Sequence, residues 1–304
     1  MLTRVVQAVL ALALVAASGA RAQELEPRAY ANAPVGMNVL VVAYSGADGE
    51  VATDAALPIE DAEIETHGAV VGYVRTFGVL GMAAKLGVVV PYVSLSGSAL
   101  VDGEPAEREV DGLADPRLRL AVNLYGSPAL SLDEFAEYEQ DLVVGVSMGL
   151  SAPLGQYDSD RLINIGTNRW SMKPELGLSK AWWAGRVTTE LSAAATLYGD
   201  NDEFQGRTRE QAPLYSMQSH LVVRSRRGMW GTLDATYYTG GRTRVDGRSN
   251  DDRQGNSRIG VTLSMPINRN HSIKLHASTG VSIRTGGDFD QFGVSWQMQW
   301  GEDR

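Results

Sequence analysis

PRLRLAVNLY, residues 116–125, is the stretch whose reading decides the fold. Pro116, Leu118, Leu120, Val122 and Leu124 fall on one side of an extended chain, and Arg117, Arg119, Ala121 and Asn123 on the other, because successive side chains in a strand point to opposite faces. A helix would scatter the same residues around its axis. The alternation runs for about ten residues, the length a tilted strand needs to cross a bilayer.

The pattern repeats in both directions along the chain. Near the C-terminus, Ile273, Leu275, Ala277, Val281 and Ile283 oppose Lys274, His276, Ser278, Ser282 and Arg284. Ile259, Val261, Leu263 and Met265 oppose Arg258, Gly260 and Thr262, while Leu142, Val144, Val146, Met148 and Leu150 oppose Gly145, Ser147 and Gly149. In all, about twelve such segments can be traced, near 35–45, 63–77, 81–95, 115–125, 141–152, 170–181, 185–198, 213–226, 229–239, 256–265, 271–284 and 289–300. A two-sheet sandwich would alternate in the same way. The connections separate the two architectures: 46–62, 96–114, 155–169, 199–212 and 240–255 are long and polar, whereas 78–80, 182–184 and 227–228 are tight. Long loops at one rim and short turns at the other predict an all-β, antiparallel, up-and-down transmembrane barrel of about twelve strands. One connection on the short-turn side, 126–140, is long; Ser131 and Glu134 form a capping box there and predict a small periplasmic helix.

Composition agrees and narrows the function. The chain has 304 residues, 33 of them Gly and none Cys, with 27 Lys plus Arg against 36 Asp plus Glu. Thiol catalysis and Cys-ligated metals are excluded, and a net charge of -9 argues against a nucleic-acid partner. Residues 1–22 read as a cleaved signal peptide: Arg4 starts it, Val5 to Ala17 is apolar, and Ala20-Arg21-Ala22 is a small-x-small cleavage site. The mature chain, 23–304, is then one outer-membrane barrel domain exported by a Gram-negative cell. Trp182, Trp183, Trp230 and Trp300 lie at the short-turn ends and Tyr44, Tyr92, Trp170, Tyr198 and Tyr237 near the long-loop ends, as two interfacial girdles would require.

The blocks LEPRAYANAPVGMN (25–38), GLADPRLRLAVNLYGSPALSLDEF (112–135), PLGQYDSDRLINIGTNRWSMKPELGLSK (153–180) and DATYYTGGRTRVDG (234–247) resemble the bacterial outer-membrane transporter family named for the meta-cleavage pathway of phenol degradation. The resemblance implies a transmembrane β-barrel that passes or takes up small molecules, hydrophobic or aromatic ones among them. It brings no catalytic residue. Barrels of this kind usually end on an aromatic residue read by the outer-membrane assembly machinery; here the final alternation, Phe292, Val294, Trp296, Met298 and Trp300, is followed by Gly301-Glu302-Asp303-Arg304.

If the apolar faces meet lipid, the alternate positions line the lumen. The candidates are Arg117, Arg119, Lys173, Glu175, Glu190, Arg224, Asp234, Arg258, Lys274 and Arg284, together with Glu63, Glu65, Arg75, Lys85 and Arg186. Mixed charges either pair across strands into a plug or set the selectivity of an open path. The four His, at 67, 220, 271 and 276, have no metal-ligand spacing, and His271 lies at the wrong rim for a lipid-cleaving barrel. Asp48, Asp54, Asp61, Asp200, Asp202, Glu203, Asp246, Asp251 and Asp252 crowd the long loops without the order of a calcium loop, so they read as solvated loops mixed with Arg. The expected protein is a non-enzymatic channel without cofactor or metal. Its partners are a small-molecule solute, the membrane lipid, lipopolysaccharide and the assembly machinery. The alternatives are a non-transporting structural or adhesive barrel and an outer-membrane lipid hydrolase.

Overall fold

The computed structural model describes residues 26–52, 59–101, 104–161 and 163–301; the expected leader, 1–22, lies outside them, as does Asp54. The strands are β1 (Asn38–Ala52), β2 (Ile59–Val79), β3 (Met82–Val101), β4 (Glu104–Leu113), β5 (Arg117–Tyr125), β6 (Leu142–Ser151), β7 (Ser171–Trp182), β8 (Val187–Tyr198), β9 (Asn201–Phe204), β10 (Arg207–Gln211), β11 (Leu214–Arg224), β12 (Trp230–Gly240), β13 (Thr243–Val245), β14 (Arg248–Ser249), β15 (Gln254–Pro266), β16 (His271–Ser282) and β17 (Gly286–Trp300). One short helix, α1 (Leu132–Ala136), stands between β5 and β6.

Every neighbouring pair in the main sheet is antiparallel. β1 pairs with β17 from Asn38↔Trp300 to Ala52↔Gly286, and with β2 on its other edge, so the sheet closes on itself. β3 pairs with β5 along its lower part and with β4 along its upper part, which makes β4 and β5 one wall element broken at Ala114-Asp115-Pro116. The result is a closed barrel of twelve strands. Closure removes the open edges that an isolated sheet would expose, and hydrogen-bonds the backbone within the wall.

The outer surface is apolar where lipid would lie: Val42, Val71, Leu86, Leu118, Leu120, Leu176, Leu221, Leu233, Ile259, Val261 and Phe292 are all exposed. A soluble fold would bury such a band. Tyr44, Tyr92, Trp170 and Tyr237 are exposed on the long-loop side and Trp182, Trp183 and Trp300 on the short-turn side. Two expected girdle members do not join them. Tyr198 lies under the Arg169 guanidinium, 4.6 Å from its ring centre, and Trp230 lies under Arg28 at 5.2 Å.

The long connections are more ordered than their polarity predicts. Much of 46–62 and 96–114 is strand, continuing the β1–β2 and β3–β4 hairpins beyond the lipid band. Loops 199–212 and 240–255 fold together into a four-stranded sheet in the order β14-β13-β10-β9. Their acids hold this cap together: Asp202 accepts from the Thr208 hydroxyl (3.1 Å), Asp246 from the Thr208 amide (3.1 Å), and Asp252 from the amide and hydroxyl of Thr243 (2.8 and 2.5 Å). Buried Asp115, at the break in the wall, anchors loop 153–170 by accepting from the amides of Gly155 and Thr167 and the Thr167 hydroxyl. In that loop burial raises the Tyr157 phenol above its usual range, and its hydroxyl accepts from Asn201 at 2.8 Å.

At the opposite rim, α1 carries the expected capping box. The Ser131 hydroxyl accepts from the Glu134 amide (3.4 Å), and the Glu134 carboxylate accepts from the Ser131 amide (2.9 Å).

Candidate functional site: the plugged lumen

The segment before β1 does not lie along the rim. Residues 26–37 turn into the barrel and cross its interior. Their lower end is tied to the short-turn side, where Val35 N donates to Leu130 O (2.8 Å), Gly36 N to Thr76 O (3.0 Å) and Met37 N to the Thr76 hydroxyl (2.9 Å). Higher up, Lys85 Nζ donates to the carbonyls of Ala29 (3.1 Å) and Ala31 (2.6 Å), the Arg28 amide to Glu190 Oε2 (2.6 Å), and Asn123 to the Tyr30 carbonyl (3.2 Å). Arg28 itself has positive φ, which turns the chain across the lumen. Four strands and the 126–141 connection therefore grip one irregular segment, which places its backbone groups on partners away from bulk water.

Tyr30 is the centre of the plug and is only 5% exposed. Its ring lies on Gly145 and Gly177, which face each other across the β6–β7 ladder. A Cβ at either glycine would overlap the ring, so the two form a flat seat that any other residue would fill. The Tyr30 hydroxyl reaches Glu175 Oε1 (2.9 Å) and Ser147 Oγ (3.2 Å). Arg119 completes the cluster: Nη2 donates to Glu175 Oε1 at 2.7 Å, Nε to Ser147 at 3.2 Å, and the guanidinium also pairs with Glu26 of the plug.

A second buried cluster sits on β11, β12 and β15. Asp234, fully buried, is bonded to His220 Nδ1 at 2.7 Å and accepts from the hydroxyls of Thr232 (2.8 Å) and Thr262 (3.1 Å). Arg258 is buried above it and donates to Ser278 Oγ (3.1 Å) and Phe289 O (2.7 Å). Lys173 approaches Glu175 at 3.7 Å, and Arg117 lies in the inward row with Val89 and Ser151.

Five residues expected on the inside stand elsewhere. Glu63, Glu65 and Arg75 share the outward face of β2 with exposed Val71, Arg75 donating to Asn38 Oδ1 at the short-turn rim. β2 is apolar on both faces, Ile64, Val70 and Val74 pointing in, so its alternation does not fix the parity and a one-residue shift exchanges the faces. Arg186 is exposed in the tight turn before β8. Arg284 lies past the end of β16, exposed, 3.6 Å from Asp251 of the long-loop rim.

The lumen wall has two characters. On β1, β2 and β3 the inward rows are apolar or small: Val39–Val74–Gly87, Val41–Gly72–Val89, Ala43–Val70–Pro91 and Ser45–Gly68–Val93. From β5 round to β15 the same positions carry Arg119, Ser147, Glu175, Glu190, His220, Asp234 and Arg258. The plug rests mainly on the polar side. Neither the plug nor the apolar rows were anticipated from sequence, although the directly paired Gly145 and Gly177 were a signal that something flat lies against them.

At the short-turn mouth the plug leaves a cavity of about 390 Å³ between Pro27 and Arg28 on one side and the ends of β11, β12, β15, β16 and β17 on the other. Arg224, Trp230, Ser264 and Lys274 follow one another across adjacent strands in a single inward row. Burial first, and the facing Arg224 second, draw the Arg28 guanidinium down to about 10, with Glu190 opposing them.

Comparison with solved structures gives likenesses over almost the whole chain, among them the following two. An outer membrane channel from Pseudomonas putida F1 superposes with a TM-score of 0.78 over 91% of this chain and 100% of its own, at 18% identity. The transport unit of the autotransporter AIDA-I from Escherichia coli gives 0.54 over 96% and 98%, at 10% identity. At these identities the likeness is one of fold. No curated protein matches the chain. A family model does, over residues 46–298, and on that match the chain belongs to the family described as "Putative MetA-pathway of phenol degradation".

Proposed function

We propose that the protein is a channel in the outer membrane of a Gram-negative bacterium that passes small solutes with an apolar part, without catalysis. The observation that carries this is the two-faced lumen. A continuous apolar strip on β1–β3 faces a polar wall, so a ring or short hydrocarbon could slide along one side while its polar group exchanges hydrogen bonds with the other. A path for sugars or ions alone has no use for Val41, Val70, Val74, Val89 and Val93 inside. Arg119, Glu175, Glu190 and Asp234 fit a role in holding the plug and setting charge preference rather than chemistry. Asp234 orients His220 but its remaining partners are Thr232 and Thr262, and among the described residues no serine is bonded to His220. Lipid, lipopolysaccharide and the assembly machinery are the partners such a barrel would meet.

Liposome swelling tests the reading. Phenyl-bearing solutes should enter faster than sugars of the same size, and Val41→Asn with Val89→Asn should abolish the difference. Equal entry rates in the parent protein would reject it. The crossing segment 26–37 favours a second reading, a permanently closed barrel. Deleting residues 26–33 should raise conductance if the segment is a movable plug, and leave it unchanged if the cap closes the other end. For orientation, Ser249→Cys should be labelled in intact cells and Gly228→Cys should not, the long-loop rim being outside; labelling of the latter alone would invert the barrel.

A further inference from the structure

The seat beneath Tyr30 belongs to the wall, whereas the ring that fills it belongs to the plug. Gly145 and Gly177 face each other across β6 and β7, and their row continues into Asn123 on β5 and Ser192 on β8, so a flat floor runs under the ring. A Cβ on Gly177 would overlap the Cε2 edge of the ring and one on Gly145 the Cδ1 edge, so both edges rest on backbone. In the next row, Ala121–Ser147–Glu175–Ala194, two polar groups stand between two small ones. There the Tyr30 hydroxyl donates to Glu175 Oε1 at 2.9 Å and lies 3.2 Å from Ser147 Oγ. Arg119 orients both acceptors, at 2.7 Å from Glu175 and 3.2 Å from Ser147, and its guanidinium lies 5.8 Å from the ring centre. It also pairs with Glu26 of the plug, but its two wall contacts do not depend on that segment. Everything here that recognises a ring and a hydroxyl is therefore carried by β5, β6 and β7 and stays in place when the plug leaves.

We propose that this seat is a binding site for a small phenol, filled in the resting barrel by Tyr30 as a tethered stand-in, and that a free phenol taking the seat releases the plug. The inference rests on the channel reading, with the phenol as cargo, and narrows that cargo from small amphipathic solutes to rings bearing a hydroxyl donor. A carboxylate on the ring would meet Glu175 as like charge, and a plain or methoxy-bearing ring would bring it no hydrogen. One strand, β5, separates the seat from the apolar strip that ends at β3, so a ring sliding along the strip arrives beside it. Tyr30 competes at the effective concentration of a short tether, and the free ligand must be present well above its own Kd to displace it. A ligand that fits only the vacated seat then shifts the barrel toward the plug-out state by that difference in affinity.

The probe is p-cresol, the tyrosine side chain as a free molecule, with 4-methylanisole and p-toluate for comparison. Calorimetry on the refolded full chain in an uncharged detergent measures binding, and hydrogen exchange over residues 26–37 reads the plug; neither requires transport. Tyr30→Ala vacates the seat and should bind p-cresol at least tenfold more tightly than the parent protein does, and at least tenfold more tightly than it binds either comparison compound. Adding Gly177→Val to Tyr30→Ala refills the seat and should abolish that binding. Tyr30→Phe leaves the wall untouched and keeps the ring without its hydroxyl, so p-cresol should displace it at a lower concentration than it displaces Tyr30. In the parent protein, p-cresol should quicken exchange over 26–37 several-fold where 4-methylanisole does not. Equal affinity of Tyr30→Ala for the three compounds, no gain over the parent protein, binding that survives Gly177→Val, Tyr30→Phe displaced no more readily than Tyr30, or parent exchange that p-cresol leaves unchanged would each overturn the proposal. Swelling assays on the same preparations keep the two readings apart. Entry of phenyl-bearing solutes without a p-cresol site rejects the seat alone, and p-cresol binding with plug release but no solute entry rejects the channel alone.

Discussion

The β1–β3 wall and the β5–β15 wall present the same face to lipid and opposite faces to the lumen. On the first, valines point both outward, at Val42, Val71 and Val88, and inward, at Val41, Val70 and Val89. On the second, leucines outside alternate with Arg119, Glu175 or Asp234 inside. The difference teaches that the outer solvent constrains every strand equally, whereas the inner row is free to follow function. Here one half of it was made a polar cradle for an inserted segment, and the other half was left greasy.

The largest effect should come from placing a charge on each side of β2, where sequence alone left the faces open. Val71→Arg puts a cation into lipid and should cost about 2–4 kcal/mol if the site is near the bilayer midplane. Val70→Arg, one residue away, points the same charge into the lumen and should cost markedly less. Urea unfolding of bilayer-refolded samples measures both. A reversed order would exchange the faces of β2 and with them the apolar strip.

Second in size is a comparison of glycines. Gly177→Val on the polar wall fills the seat of Tyr30 and should drive the plug out, losing two hydrogen bonds to the Tyr30 hydroxyl at about 1 kcal/mol each. Gly72→Ala on the apolar wall adds a Cβ at ordinary contact distance, 3.6 Å from Val89 and 3.7 Å from Val41, and should change nothing. Planar-bilayer conductance should rise several-fold for the first and stay level for the second. A silent Gly177→Val would show that the crossing segment does not limit the path.

How far the sequence could be read follows from the same contrast. Where one face is polar, as in 116–125 or 273–282, period two fixes strand, register and side together, and the wall segments could be placed to within a few residues except at the outer ends of β1 and β3, which run six to seven residues further than expected. β2 failed because both faces are apolar. The plug failed for another reason: residues 26–37 have no periodicity, and what holds them is a set of contacts with residues far along the chain, Glu190 being 162 positions from Arg28. Apart from Glu63, Glu65, Arg75, Arg186 and Arg284, the candidate charges could be located by parity, but that Arg119 and Glu175 would close around Tyr30 required knowing which strands end up facing each other. The loop acids likewise gave no hint of the four-stranded cap, since β9, β10, β13 and β14 are too short to show a pattern.

A smaller effect is expected from neutralising the polar wall. Glu175→Gln with Glu190→Gln takes the Glu175 carboxylate from Arg119, which keeps its pairing with Glu26, and from Lys173, and removes the acid beside Arg28. Selectivity should shift toward anions, and the plug should loosen, so conductance rises as well. Among the described inward rows of the apolar wall no carboxylate is available to neutralise, and Thr66→Val, in its upper inward row, should leave selectivity untouched. Reversal potentials under a salt gradient distinguish the two, and an unchanged value in the double variant would remove these residues from the permeation path.

The smallest effect lies at the base of the plug, where the walls are bridged by the 126–141 segment. Leu130 accepts from Val35 and Pro128 from the Asn32 side chain, so order in this segment is order in the plug's anchor. The Ser131 amide and hydroxyl hold the Glu134 carboxyl below its usual range. A depressed carboxyl contributes its stability above the unfolded-state value and loses it as the pH falls through the lower folded value, so the α1 cap should weaken on acidification rather than on alkalinisation. Ser131→Ala removes the hydroxyl, which accepts from the Glu134 amide and donates to its carboxylate, leaves the backbone amide, and should cost about 1 kcal/mol of local helix stability at neutral pH. Hydrogen exchange at Val35 and Gly36 should then quicken modestly in the variant at neutral pH and, in the parent protein, only when acidified. Faster exchange in the parent on raising the pH, beyond the intrinsic chemical rate, would contradict the sign. Exchange equal in both proteins at neutral pH would detach the helix cap from the plug.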